Sequence, residues 1–356
     1  MMAAARFRFL MICLLQFAAL SFSNADNNEF IIAGYLPDYR ASINLNATLL
    51  HLTDVMLFSL TPASVVAGGG SSCCFSKEHF ALVRKARSYK LEKIRILITV
   101  GGGGRSDGFA DIVSGSSNTR HSFLQGIVKI CRENELDGVD WDNENIQTYE
   151  QWEAYLHFLV EASTFLHKHN LLVSVALHPG QHLPAEVCQN VDRVHLMTYD
   201  MMHNTHSKHH ASFKSVKKAL SSFSSNGCPS SKLIMGIPAY ARHESNPSQV
   251  KTYSEIVDEF LSEQDEHDVD TKEIITNLSS WKGYQFDSAS DVKVKAEYAK
   301  DNDYGGCFLW ELGQDKRISD VADGGVLTEA MSSVLQSDHM IGEKKGVDNI
   351  VKEGEL

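Results

Sequence analysis

The chain has 356 residues, 43% of them hydrophobic and 22% charged, and carries a formal net charge of −12. Those proportions sit near globular averages, which excludes wholesale disorder and allows a sizeable core, while the acidic balance argues against nucleic acid as a partner. The length admits one large domain or two ordinary ones.

In chain order, MMAAARFRFLMICLLQFAALSFSNA comes first, with Arg6 and Arg8 ahead of an apolar run from Phe9 to Leu20 and the small residues Ser23 and Ala25 before a cut after Ala25. Residues 1–25 read as a secretory signal peptide and not as a membrane anchor, since the run is short of the ~20 apolar residues a span needs and is broken by Gln16. Removing it takes away two arginines and no acid, so the charge moves from −12 to −14. A secreted chain with no membrane contact is the expectation. Six cysteines then remain (Cys73, Cys74, Cys131, Cys188, Cys228 and Cys307), too widely spaced for a CxxC metal signature. Disulfides of unreadable pairing are expected among them, with a free buried thiol as the equal alternative for Cys131 and Cys307, which lie in apolar contexts. Asn46-Ala-Thr48 and Asn277-Leu-Ser279 are acceptors for glycans on the secretory route.

Past residue 25, apolar runs of strand length alternate with helical segments. The strands predicted are Ile31–Leu36, Asp54–Leu60, Ile94–Val100, Gly138–Asp142, Leu172–Leu177, Val191–Met197, Leu233–Ile237 and Gly306–Trp310. Helices are predicted at Lys77–Tyr89, Arg120–Asn134, Tyr149–His169, Ser212–Ser224 and Ser288–Lys300, with a last one after Ile318. Eight βα alternations predict an α/β fold of the (β/α)8 TIM-barrel type, one domain over residues 26–336. A polar stretch from His243 to about Asp287 makes a short excursion between strands seven and eight. Residues 337–356 read as a polar C-terminal tail. No repeat, proline-rich linker or appended module is visible.

Chemistry concentrates in Asp137-Gly-Val-Asp-Trp-Asp-Asn-Glu144. Side chains alternate along a strand, so Asp140, Asp142 and Glu144 share one face and Val139 and Trp141 the other, the latter packing on the helical layer. Three acids on one face of an apolar strand have no structural benefit, because like charges raise one another's pKa and ionise together only at a cost. A carboxyl raised in this way keeps a proton to give to a leaving oxygen. Glu144 has the longest reach and the most C-terminal position, at the end of the barrel where such sites form, which makes it the candidate acid and Asp142 its partner. A metal site is the rival reading, with Asp200 and His178 as further ligands. A solvated acidic edge is the bland one.

These residues resemble the acid motif of glycoside hydrolase family 18, the chitinases and their relatives, in which Asp-Gly-x-Asp-x-Asp-aromatic-Glu is matched by Asp137, Gly138, Asp140, Asp142 and Glu144. Further segments resemble the family in order along the chain: Gly34-Tyr35, Ile98-Thr-Val-Gly101-Gly102, Met197-Thr-Tyr199-Asp200, Gly236-Ile-Pro238-Ala-Tyr240-Ala-Arg242 and Gly305-Gly306-Cys-Phe-Leu-Trp310-Glu311. The resemblance implies a retaining, substrate-assisted hydrolase of chitin or N-acetylglucosamine oligosaccharides with neither metal nor organic cofactor, acting as a monomer. It also implies roles. Glu144 protonates the glycosidic oxygen, Asp142 holds the acetamido N–H, and Asp140 shares a proton with Asp142, backed by Tyr35 and Thr99. Tyr199 donates to the acetamido group, Trp310 floors the reacting sugar, and Met197, Asp200, Tyr240 and Arg242 line the pocket.

The match departs from the family at Asn143 and Gly103, where aromatics are usual, and at Thr99, where serine is usual. Four tryptophans in all give no long aromatic track, so oligomers or accessible chains are expected substrates before crystals. Two other functions stay open: an endo-β-N-acetylglucosaminidase acting on N-glycans, and a chitinase-like lectin that binds without cutting.

Overall fold

Long β-rich apolar runs that must be buried on both faces form parallel sheets covered by helices, and a closed barrel leaves such a sheet no edge. The computed structural model describes residues 29–40, 45–68, 80–81, 83–84, 87–88, 94–202, 207–264, 271–319 and 322–335. In it β1 (Ile31–Pro37), β2 (Asp54–Leu60), β3 (Arg95–Gly101), β4 (Gly138–Asp142), β5 (Leu172–Leu177), β6 (Arg193–Leu196), β7 (Leu233–Pro238) and a last strand, Gly306–Trp310, close into a barrel. Every barrel pairing is parallel, and the last strand pairs with both β7 and β1. The expected signal peptide and tail, Cys73 and Cys74, and most of the helix expected at Lys77–Tyr89 lie outside the described residues.

Alternation sorts each strand into two layers. Outward residues such as Val55, Ile98, Val139, Trp141, Val173 and Val194 join the helices in one large core, where Trp141 packs against Phe109, Phe123 and Phe158. Inward residues form a smaller cluster that includes Ala33, Tyr35, Met56, Phe58, Leu97, Met197 and Phe308. The helix Tyr149–His167 starts on a Thr148 side chain accepting from Gln151 N, and Ser117–Glu133 starts in the same way on Ser116. Among the described residues no helix is long and apolar enough to cross a membrane.

The excursion between β7 and the last barrel strand is built as a small antiparallel sheet of β8 (Tyr240–His243), β9 (Val250–Thr252), β10 (Ser280–Trp281) and β11 (Tyr284–Gln285), so the last barrel strand is β12. Helices Tyr253–Ser262 and Thr271–Asn277 lie within it. Cys188 and Cys228 form a disulfide, while Cys131 and Cys307 are buried thiols.

The two ends of the barrel are filled differently. At the N-terminal end, fully buried Asp54 accepts from Arg95 Nε and Nη2 (2.9 Å each), Arg193 Nη1 (2.5 Å) and Thr53 Oγ1 (2.5 Å). Burial pushes this carboxyl up, but the two guanidiniums outweigh it and hold the pKa at about 2. At the C-terminal end the barrel opens into a cleft of about 350 Å³.

Candidate active site

The strand register sets Thr99, Asp140 and Ser174 side by side on three neighbouring strands. Asp140 therefore accepts three hydroxyl donors: Ser174 Oγ at 2.6 Å, Thr99 Oγ1 at 3.0 Å and Tyr35 OH at 3.0 Å. The Tyr35 hydroxyl also lies 2.9 Å from His195 Nδ1. Tyr35 has one proton, which it gives to Asp140, so His195 must donate from Nδ1, leaving Nε2 as a bare acceptor. That nitrogen is buried without a partner, and burial holds the imidazole pKa down to about 4, so the ring is neutral.

Asp142 lies one layer higher and is 3% exposed, yet among the described residues no cation pairs with it. Burial, then Glu144 and Asp140, push its carboxyl well above the usual carboxylate range. Its Oδ1 is buried and has no donor among the described residues.

β4 ends at Asp142, so Glu144 stands on the loop beyond it and not on the strand. Ser106 holds that loop: Glu144 N donates to Ser106 Oγ (3.0 Å), which lies 3.1 Å from Asp142 O. Gly101 and Gly102 make this approach feasible. Both have φ near +99°, and a Cβ on Gly101 would come within 2.0 Å of Asp142 O, which accepts from Gly102 N at 2.6 Å. Glu144 Oε2 is 3.8 Å from His178 Nε2.

The opposite wall comes from β6, β7 and β12. β6 ends at Leu196, one residue sooner than predicted, and Met197–Asp200 turn across the barrel mouth, with Thr198 Oγ1 donating to Gly236 O at 2.7 Å. Gly236 leaves room for the Tyr199 ring, whose Cε1 would be 2.9 Å from a Cβ there. Asp200, at φ +57°, presents its carboxylate to Arg242 as a two-point pair, with Nη2 at 2.5 Å from Oδ2, and to His210 Nδ1 at 3.1 Å. Burial pushes Asp200 up, but His210 and Arg242 hold it well below the usual carboxylate range. Trp310 packs edge-on against Phe58 (4.7 Å) and Tyr35 (5.3 Å), which fixes its ring across the cleft floor.

All the predicted site residues except Asp140 line this one cleft: Tyr35, Asp142, Glu144, Met197, Tyr199, Asp200, Tyr240, Arg242 and Trp310. Asp140 and Thr99 lie beneath it. Sequence reasoning missed Ser174, His195 and Ser106, although the two-residue period of β5 and β6 puts Ser174 and His195 on the inward face. As for the metal reading, among the described residues no three His, Cys, Asp or Glu side chains converge as ligands. Asp200 is committed to Arg242 and His210.

Known proteins share this architecture. Among solved structures, the GH18 chitinase ChiB from Flavobacterium johnsoniae superposes with a TM-score of 0.69 at 21% identity, covering 86% of this chain and 95% of that one. A class V chitinase mutant from Cycas revoluta, in complex with (GlcNAc)3, gives 0.68 at 19% identity, covering 85% of this chain and 99% of that one. An endochitinase from Brugia malayi is 24% identical over 318 residues, covering 74% of this chain, which spans 62% of that relative's length. The sequence profile of Glycosyl hydrolases family 18 matches residues 14–315, and the chain therefore belongs to that family.

Proposed function

We propose that the chain hydrolyses β-1,4-linked N-acetylglucosamine polymers or oligomers with retention of configuration, using the substrate's acetamido oxygen as nucleophile. The observation that carries this reading is the buried, donor-less Oδ1 of Asp142, since leaving a buried acceptor unpaired is costly unless something else supplies the donor. A substrate amide N–H is such a donor. Asp200, the other carboxylate on the cleft wall, is tied up by Arg242 and His210 and so is a poor nucleophile. The relatives named chitinases and the (GlcNAc)3 complex support the sugar class.

In the proposed cycle the sugar lies on Trp310 with its acetamido group between Asp142 and Tyr199. Glu144 gives its proton to the glycosidic oxygen as that bond to C1 breaks and the acetamido oxygen bonds C1. Asp142 accepts from the amide N–H, whose acidity rises as the ring closes. Water then attacks C1 from the face the leaving group vacated, giving its proton to Glu144 as the bond between C1 and the acetamido oxygen breaks and the acetamido group is restored, so the configuration is retained. Holding the internal nucleophile in place contributes up to ~7–11 kcal/mol. No step uses a metal or cofactor. Of the four tryptophans only Trp310 lines the cleft, which supports oligomers and accessible chains over crystals.

The test is a time course of products and anomers from an N-acetylglucosamine hexamer. The β-anomer appears first, and Glu144→Gln lowers turnover at least ~10²-fold while oligomer binding persists. Near-normal turnover by that variant defeats the assignment. Cleavage of a high-mannose glycoprotein in place of the hexamer points to the N-glycan enzyme, and tight binding without cleavage to a lectin. Secretion is part of the same proposal, supported by residues 1–25 and by the Cys188–Cys228 disulfide. Expression in a eukaryotic host with recovery from the medium, cut after Ala25, checks it.

A further inference from the structure

β5 ends at Leu177, and the next residue, His178, enters the cleft wall. Its backbone is pinned at both polar atoms, His178 N donating to Gln181 Oε1 (2.7 Å) and His178 O accepting from Gln181 N (3.0 Å). The ring places Nε2 at 3.8 Å from Glu144 Oε2, beyond a hydrogen bond but within ion-pair reach. Both side chains are partly exposed.

Other ionisable groups face this pair. From β4, Asp142 and the deeper Asp140 put carboxyls behind Glu144. In the loop after β3, Arg105 is forked onto Asp38 (2.7 and 2.8 Å) and donates to Ser59 O, while exposed Asp107 accepts from Asn145 Nδ2. From the β6 side Tyr199 is a phenol that burial keeps neutral, and Asp200 is paired with Arg242 of β8. On the other flank of Glu144 a Cβ at Gly103 would stand 3.8 Å from each carboxyl oxygen, so no side chain fills that space. Among the described residues Glu144 thus has carboxyls behind it and the His178 imidazole in front.

We propose that His178 is a positioning residue for the acid: as imidazolium it pairs with the carboxylate that Glu144 becomes after giving up its proton. It steadies that carboxylate to accept the proton of the attacking water. His178 transfers no proton itself, so the proton balance of the cycle is unchanged. The pairing weakens once the imidazole loses its charge. This inference rests on the proposed function for one of its two readouts and is independent of it for the other.

The first readout is the alkaline limb of kcat/KM on N-acetylglucosamine oligomers, where the acid loses its proton. His178→Gln removes the charge and keeps a polar group, and is expected to move that limb up by at least ~0.5 pH unit. His178→Lys keeps a cation and leaves the limb at or below that of the wild type. A residue serving only to hold the turn would alter thermal stability or turnover without moving the limb. The second readout needs no substrate: the imidazole carbon–proton NMR signal of His178, assigned by its loss in His178→Gln, is followed against pH in wild type and in Glu144→Gln. The wild-type midpoint is expected at least ~0.5 pH unit above that of Glu144→Gln, because the carboxylate favours the imidazolium. Equal midpoints overturn the pairing even in an active enzyme, and an unmoved limb in His178→Gln overturns it as well. Unequal midpoints uphold it even where no oligomer is cut.

Discussion

Two buried aspartates, Asp54 and Asp142, stand at opposite ends of the same barrel and are treated in opposite ways. Asp54 accepts from two arginines and a threonine, and its pKa is driven down to about 2. Asp142 is almost as deeply buried, but it faces two other carboxyls, keeps one oxygen without a donor, and is driven up. Burial is nearly equal in the two, so burial alone does not mark function. What separates a structural carboxyl from a working one here is whether the protein completes its hydrogen bonding or leaves that to something else.

The largest effect expected from breaking this contrast is on the structural side. Asp54→Asn leaves Arg193 and Arg95 at the barrel base without their shared anion, and removing one partner of a buried pair costs roughly 3–5 kcal/mol. Urea unfolding would show the loss, with turnover per folded molecule little changed. Asp142→Asn should behave in the opposite way. It swaps a carboxyl that already favours its neutral form for a neutral isostere, so stability holds or rises at pH 7. Turnover on the oligomer falls by ~10²-fold or more, because a side-chain amide cannot take up the charge that develops as the acetamido ring closes. A stability loss without a rate loss in Asp142→Asn would erase the distinction.

The pH dependence of stability sharpens the same comparison with smaller energies. Asp54 has a lowered folded pKa, so its contribution is present above the ordinary carboxylate value of ~3.9 and is lost as pH falls through about 2. Asp142 has a raised folded pKa, so its contribution is present below ~3.9 and is lost as pH rises through the raised value. The stability gap between wild type and Asp54→Asn should therefore close by about 2 kcal/mol toward low pH, while Asp142→Asn gains on wild type as pH rises. His195, held down to about 4 chiefly by burial, adds its own loss as pH falls, and Asp54→Asn deepens that loss by removing a charge that favours the imidazolium. Thermal melts of all three from pH 2 to 9 would show gaps moving in opposite directions.

Much of this was legible in the chain. β2, β4, β5 and β12 fall where the apolar runs predict. The acids of β4 were legible as well, since period two puts Asp140 and Asp142 inward. The same period puts Glu144 on that face, but it stands past the strand end, and it is Ser106, thirty-eight positions away, that directs it. Pairings across the barrel, such as Arg193 with Asp54 and Ser174 with Asp140, depend on register between strands far apart in sequence, and no local pattern states that register. The small sheet of the excursion was missed for another reason: strands of two to four residues are too short to display a period.

The smallest effect expected lies between the two ends, at Ser174. Its hydroxyl gives Asp140 the shortest of three bonds, at 2.6 Å, while Thr99 and Tyr35 supply the others at 3.0 Å. Ser174→Ala removes one donor of three and leaves a methyl-sized side chain on the inward face, so the fold is kept. Asp140 loses roughly 1–2 kcal/mol of hydrogen bonding and with it part of its hold beneath Asp142. Turnover is expected to fall several-fold while KM changes little, because the hydroxyl lies beneath the cleft and out of reach of the sugar. If Asp140 were a structural carboxyl like Asp54, the same substitution would instead lower the melting temperature and leave kcat where it was.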